Sequence, residues 1–310
     1  MKKKLLALFL VLVMALGMFP MSAMAADYPD AEWYNFRNSE NNMGITAAQT
    51  PKEAKFTQLD WTQNFGTYVG VPIIVGGHMY IAAGNDETDS YLYKLSLEDG
   101  SVVARAALAR TFDKNNCNIP PVYIQEKGLI IIPMTEGVVQ AFNINDMSTA
   151  WVYQDKPIAE IEGAKTNANG LGAQAQTPVL YSDGNLYVGF YASASANLVC
   201  LDAATGELQW YYPSAGGFYW TSPVAVGDHI VIGSESKNGN LLMFKKTYAS
   251  QDVAAEPVSS LKLVAADGET ALKNQRSALA YDEVFSALSD PQITLLVANT
   301  HTPTKLVWDE

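Results

Sequence analysis

Cys200 to Trp210, CLDAATGELQW, sets the terms for the rest of this chain. It reads as a strand, a tight turn at Thr205-Gly206, and a second strand that ends on an aromatic. The turn needs a residue tolerant of positive φ, which glycine supplies. Cys200, a small residue, leaves room at the front, and Trp210 is placed to lie flat over the turn of a neighbouring sheet. An indole buried in that way contributes about 1.5–3 kcal/mol by area. The same text recurs along the chain. AFNINDMSTAW puts Ala141 in front, Asn143 where Asp202 stands, and closes on Trp151. KLSLEDGSVVA keeps the turn glycine, Gly100, but closes on Ala104, and GNLLMFKKTYA has lost both the turn and the tryptophan. Repetition of this kind governs the fold before any local reading does.

The repeat is larger than the motif. Each unit opens with a strand carrying a proline near its start: VGVPIIV, CNIPPVYI, QTPVLYS, TSPVAVG. A turn follows, then an apolar strand (HMYIAAG, LIIIPMT, NLYVGFY, HIVIGSE), then a polar loop and the hairpin above. Pro72, Pro121, Pro178 and Pro223 stand 49, 57 and 45 residues apart. Proline is tolerated at a strand start, where the ladder has barely begun. A fainter fifth unit starts near Gln275, with Ala278 where the prolines stood, and runs only to a third strand, TKLVW. Four short strands per unit at this period are the pattern of a β-propeller blade. The expected fold is therefore all-β, a β-propeller with about five repeats starting near residues 68, 117, 175, 220 and 275, the last incomplete. A β-sandwich is the competing all-β class, but it gives no reason for a repeat.

The expected layout is a propeller over residues 57–310 preceded by an extended polar lead-in over 26–56, whose Trp33, Tyr34 and Phe36 pack on something else. Thr57 to Trp61 reads as a strand, with Trp61 closing a blade otherwise absent from the N-terminal text. Two readings of this arc stay open. One is the front part of a longer product; the other is a small five-bladed ring closed by the N-terminal strand.

The first 25 residues are a different kind of text. Lys2, Lys3 and Lys4 precede an apolar run from Leu5 to Met18 and a small-x-small site at Ala23 to Ala25. This is the pattern of a secretory signal peptide cleaved after Ala25, and the run is shorter than the roughly 20 residues a membrane span needs. A secreted or cell-surface location is expected, with no membrane insertion. Removing three lysines takes the formal charge from −12 to −15, which disfavours nucleic acid as a partner. Cys117 and Cys200 are the only cysteines; a bridge and two free thiols both stay open, since two cysteines make no framework.

The spacing AxDxxTGxxxW, met here as LDAATGELQW, resembles the tryptophan-docking motif of the PQQ-like, quinoprotein alcohol dehydrogenase-like propeller repeat. The lead-in WYNFRNSENNMGIT also resembles the start of such domains, and its company with YPDAEW resembles secreted clostridial propeller proteins. The resemblance spans Trp33 to Trp308. It implies the fold and assigns structural docking roles to Ala141, Trp151, Cys200, Asp202, Thr205, Gly206 and Trp210. It does not imply an activity, because the repeat also serves non-catalytic scaffolds. The enzymes of this family have about eight blades, commonly an adjacent cysteine pair, and a calcium held by acidic and amide side chains. Here the cysteines are 83 residues apart, and no catalytic residue carries over.

Other constellations are weak. His78 and His229 fall at matching turn positions in different units, and His301 stands alone, so no metal site is expected. No GxSxG is present to raise a serine nucleophile. Gly84 to Ser90 is an acidic loop without the EF-hand pattern, and Gly163 to Gly172 is a glycine-rich connection without a phosphate-loop context. The informative set is positional. Residues leading into each innermost strand of a propeller gather at one mouth of its channel. Here these are Tyr68, Asn116, Asn118, Gln174, Gln176, Tyr219, Trp220, Gln275 and Arg276. Amides beside aromatics suit a sugar or a peptide, although packing between blades explains aromatics equally well. The expectation is an exported non-catalytic binding or scaffold module without cofactor or metal, taking an extracellular glycan, peptide or protein. The competing readings are a quinoprotein dehydrogenase and a rigid platform within a larger surface protein.

Overall fold

A computed structural model describes residues 31–40, 42, 44, 61–84, 89–114, 119–156, 160–235, 240–249, 251–264, 269 and 278–281, and the strand backbones of 292–298 and 303–309. The first sheet runs Ala31–Trp33, Ile73–Val75, His78–Gly84, Tyr91–Ser96, Val102–Ala107, with Tyr68–Val69 also against His78–Gly84. The second runs Val122–Ile124, Leu129–Pro133, Val138–Asn143, Thr149–Gln154, Lys165–Thr166. In the third, Gln174–Ala175 and Leu180–Ser182 both pair Asn185–Tyr191, followed by Ser195–Asp202, Leu208–Ala215 and Val253–Ala254. The fourth is Val224–Val226, His229–Gly233, Asn240–Lys245, Ser259–Lys262, and the fifth Ala280–Tyr281, Gln292–Ala298, Pro303–Asp309.

Successive sheets are stacked face to face. Alternate side chains of one strand point to opposite faces, and here both faces are buried. In the second sheet Ile130 and Ile132 pack with Tyr80 and Leu92 of the first, while Ile131 and Val139 pack with Val188 and Val199 of the third. Tyr187 and Cys200 of the third sheet pack with Ile230 and Phe244 of the fourth, whose other face meets Leu279 and Tyr281. Double burial explains why Leu129–Pro133 is apolar throughout rather than alternating. It is also what separates this packing from a sandwich, which leaves one face of each sheet in water.

The lead prolines sit just outside the inner strands. Pro121 and Pro223 immediately precede Val122 and Val224. The expected single strand VGVPIIV is instead two pieces, Tyr68–Val69 and Ile73–Val75, with Pro72 in the gap where its missing N–H interrupts no ladder. Trp61 is likewise outside any strand, and the rest of the strand expected at Thr57 to Trp61 lies outside the described residues. The fourth unit does not lose its hairpin so much as redirect it. Between Lys245 and Ser259 the chain crosses over, and Val253–Ala254 lies parallel along Trp210 and Tyr211 of the third sheet. Lys165–Thr166 covers the second sheet's outer edge in the same parallel manner. Such short additions occupy edges that would otherwise offer unpaired backbone.

The lead-in takes a course that no periodicity announces. Ala31–Trp33 pairs antiparallel with Ile73–Val75, on the inner edge of the first sheet. The carbonyl of Tyr34 then accepts the N–H of Tyr123 in the second sheet at 2.7 Å. A reversal through Arg37 and Asn38, both at positive φ, brings Glu40 to the third and fourth sheets. Ser182 Oγ donates to its carboxylate at 2.9 Å, and the Ala225 N–H to its carbonyl at 3.4 Å. Asn42, buried, ends the path: its Nδ2 donates to Ser222 Oγ, to the carbonyl of Pro223 and to that of Leu279 at 3.0–3.1 Å. Between Ala31 and Asn42 the described lead-in residues thus touch the inner edges of the first four sheets and Leu279 beside the fifth.

Candidate functional site

Each sheet is an up-and-down meander, so its turns fall at two ends. The first hairpin turns lie at one end; the entry segments into the inner strands and the second hairpin turns lie at the other. At the entry end a cleft of about 590 Å³ opens between the first three sheets. One wall is Arg110, Thr111 and Asp113, on the connection from the first sheet to the second. Another is Thr135 and Glu136, in a tight turn that holds Glu136 at φ 60. Gly172 to Gln174 and Tyr191 to Ser193 complete it. Arg110 Nε donates to Glu136 Oε2 at 2.6 Å, an ion pair across two walls. Gln140, buried, holds the Arg110 segment by accepting the Ala109 N–H at 2.8 Å.

Tyr191 leads out of this cleft into an aromatic ridge. Its ring centroid lies 4.4 Å from that of Tyr219, and Tyr219 stacks on Trp220 at 4.5 Å and 23°. Trp220 is 49% exposed and sits at φ +56, in the left-handed region that a bulky residue rarely adopts. Its N–H donates to the carbonyl of Gln176, and Gln176 Nε2 donates to Gln174 Oε1 at 3.1 Å. Beneath the ridge Phe218 is fully buried against Gly189, where a Cβ would come within 2.8 Å of it. Two buried threonines tie the entry segments down. Thr177 Oγ1 donates to the Gly189 carbonyl, and Thr221 Oγ1 accepts the Gly233 N–H.

Of the residues singled out in the sequence, Gln174, Gln176, Tyr219 and Trp220 come together here. Tyr68 is half-buried against the core between the first and second sheets and is not part of the cleft wall. Asn116, Asn118, Gln275 and Arg276 lie outside the described residues, as do Cys117 and His301. Tyr191, Arg110 and Glu136 carry no signal in the sequence, because they sit on second hairpin turns or inter-sheet connections. The Gly163 to Gly172 connection is more than a solvated loop. Asp155, fully buried, accepts hydrogen bonds from Tyr153 Oη, Asn167 Nδ2, Asn197 Nδ2 and the Leu171 N–H, pinning the connection against the sheets.

The docking residues occupy the interfaces, not the cleft. Trp151 Nε1 donates to the Ala203 carbonyl at 3.2 Å, with its ring over Gly206. Asp202 Oδ1 accepts from the N–H groups of Ala204 and Thr205 and from Thr205 Oγ1, which shapes that turn. Trp210 Nε1 donates to the Lys246 carbonyl at 3.2 Å and stacks on Phe244. Trp61 repeats the arrangement on the first sheet, donating to the Leu97 carbonyl above Gly100. Opposite the tryptophans, Ala141 and Cys200 are fully buried partners across the hairpin. Cys200 is a free thiol whose ionisation burial pushes far up, so it is no nucleophile at neutral pH. His78 Nδ1 meets the Gly76 carbonyl and His229 meets Asp228, in different sheets. Among the described residues no three His, Cys, Asp or Glu side chains gather to hold a metal ion.

Comparison with known proteins adds the following. The family model described as outer membrane protein assembly factor BamB matches residues 61–271. A quinohemoprotein alcohol dehydrogenase from Pseudomonas putida HK5 is similar over 89% of this chain and 44% of its own, at 12% identity and a TM-score of 0.54. A europium-containing methanol dehydrogenase is similar over 89% and 55%, at 12% identity and a TM-score of 0.56. BamB from Moraxella catarrhalis is similar over 78% and 74%, at 12% identity and a TM-score of 0.43. The chain therefore spans about half the length of the two dehydrogenases, and at this identity the likeness concerns the fold. Comparison with the curated proteins gives no match.

Proposed function

The chain belongs to the PQQ-like propeller family of the outer membrane protein assembly factor BamB, and from that premise we propose an exported, non-catalytic propeller that binds an extracellular glycan or peptide at its entry-end cleft. The leader ending at Ala25 directs export, and residues 57–310 form the propeller from about five repeats. The observation that carries the reading is Trp220. A half-exposed indole at positive φ, stacked in series on Tyr219 and Tyr191, is strain held in place beside a polar cleft. Local strain of this sort concentrates where ligands are gripped. Flat aromatic faces beside amides and an arginine–carboxylate pair serve a sugar ring or a peptide backbone.

The family's enzymes imply a quinone held by calcium. Such a group requires clustered acidic and amide oxygens; among the described residues no three His, Cys, Asp or Glu side chains gather, and the one buried carboxylate with amide neighbours, Asp155, is met by the Nδ2 groups of Asn167 and Asn197 rather than by their oxygens. Arg110 and Glu136 are committed to each other across the cleft, and Cys200 is walled into an interface. These residues do not fit that group, and the proposal routes no step through it. Nucleic acid is disfavoured by the acidic balance.

The test is Trp220→Ala in the secreted protein, screened by calorimetry against cell-wall glycans and peptides. Removal of one stacking platform lowers affinity about tenfold or more, while the urea unfolding midpoint stays close to that of the parent. Undiminished binding by the variant, or no binding by the parent to any glycan or peptide, leaves a rigid platform within a larger surface protein as the better reading.

A further inference from the structure

The opposite end of the sheets holds a second cavity, of about 300 Å³, between the lead-in and the inner strands of the second and third sheets. Its walls include three tyrosines, Tyr34, Tyr123 and Tyr181, and its rim carries two exposed carboxylates, Glu40 and Glu126. Asn35 completes it. This residue is 5% exposed, and its buried Oδ1 has no hydrogen-bond partner. No lysine or arginine is among the described residues of the lining.

We propose that this cavity binds a primary alkylammonium group, such as that of a small amine or a lysine-like head. The argument is an inventory of hydrogen-bonding capacity. Glu40 accepts from Ser182 Oγ and Glu126 from Tyr181 Oη, and each carboxylate has further lone pairs to offer. Asn35 Oδ1 is a third acceptor, and a buried acceptor left without a donor costs about 1–3 kcal/mol. What the described lining lacks is positive charge, and its side-chain N–H groups are the amides of Asn35 and Gln125. A primary ammonium supplies three N–H donors and one charge in the volume of a methyl group. The tyrosine faces attract the same cation. Both Tyr34 and Tyr181 have their phenol ionisation pushed up, by burial first and then by Glu40 and Glu126, so the rim's negative field reaches the cavity walls.

Two rival cations are less suited. A quaternary ammonium has no N–H for Asn35. A calcium ion takes six to eight oxygens; the described lining offers Glu40, Glu126 and the amide oxygens of Asn35 and Gln125, and both carboxylates already accept from hydroxyls, Ser182 Oγ and Tyr181 Oη. The site is independent of the entry-end cleft, since it is built from the lead-in and the first hairpin turn of the second sheet.

The experiment is calorimetric titration of the full secreted chain with n-butylammonium, butan-1-ol, tetramethylammonium and calcium, each as the chloride or neutral compound. Butylammonium binds at least about tenfold tighter than the alcohol or the quaternary ion, the margin expected of charge-assisted hydrogen bonds. Glu40→Gln with Glu126→Gln, both at exposed positions, weakens it by about tenfold or more without moving the urea midpoint. Asn35→Leu removes the preference for butylammonium over tetramethylammonium. The proposal falls if butylammonium shows no heat at about 10 mM, if butan-1-ol binds equally, if the double variant binds as the parent does, or if calcium displaces the amine at lower concentration.

Discussion

At Gly206 a single added carbon would separate two sheets. A Cβ there would stand 2.5 Å from Trp151 Cε3, and the residue sits at φ +72. Gly184, in the neighbouring turn of the same sheet, has φ +81 but nothing within 4 Å of its would-be Cβ. The pair separates backbone strain from steric exclusion. Gly184→Ala costs about 1 kcal/mol, the penalty of a left-handed L-residue. Gly206→Ala adds the displacement of an indole from its seat and costs about 3 kcal/mol. Urea unfolding of the two variants checks this. Equal losses would mean that the tryptophan does not need the glycine. The same logic makes Cys200 a packing residue: it lies directly across the hairpin from Trp210, where its thiol is buried and its ionisation suppressed.

Between whole sheets, the exception to the motif is the more informative case. Met147 occupies in the second sheet the position of Gly100 and Gly206, at φ +62 and with the same turn hydrogen bond, its N–H to the Asn143 carbonyl. The first sheet sends Ala104 rather than tryptophan toward it, and Met147 fills the space itself, 5% exposed beside Ala104 and Ala106. Tryptophan with glycine and alanine with methionine are therefore two solutions of one volume problem. Ala104→Trp alone overpacks and costs about 2 kcal/mol; Met147→Gly alone leaves a void and costs about as much. The double variant recovers at least about 1 kcal/mol relative to their sum. Strict additivity in a denaturation cycle would refute the exchange. This spacing was legible in the sequence because turn and tryptophan lie on one hairpin. The device that aims the tryptophan was not. In all three hairpins the register slips by one residue at Val103, Ala150 or Gln209, just before the closing position. A bulge re-aims the side chain that follows it, but these three residues share no chemistry that would announce it. Likewise Gln176, Tyr219 and Trp220 follow from their place in the repeat. Arg110, Glu136 and Tyr191 join them only through the angular packing of three sheets.

For the molecule as a whole, the lead-in changes what holds the sheets together. Each sheet interface is local, joining one unit to the next, so a stack built only of such contacts opens wherever one interface is weakest. The segment from Ala31 to Gly44 adds contacts that span units, from Val75 in the first sheet to Leu279 before the fifth. Its sequence is polar because its partners are backbone edges, which is why hydrophobic periodicity gives no hint of its course. Asn42 is where this axial tie meets the C-terminal sheets, with one buried amide serving three acceptors. Asn42→Ala takes this donor from the Leu279 carbonyl and leaves the Pro223 carbonyl with Ser222 Oγ at 3.4 Å, and costs about 2–3 kcal/mol. The loss is regional. Hydrogen exchange followed by mass spectrometry shows faster exchange in peptides covering residues 222–226 and 279–281, while those covering 122–154, held by two sheet interfaces of their own, keep the parent rate. Uniform acceleration would make the chain a single cooperative unit in which the tie has no local meaning. Unchanged exchange at 279–281 would show that the fifth sheet is held by its own face against Val224 and Leu241 alone.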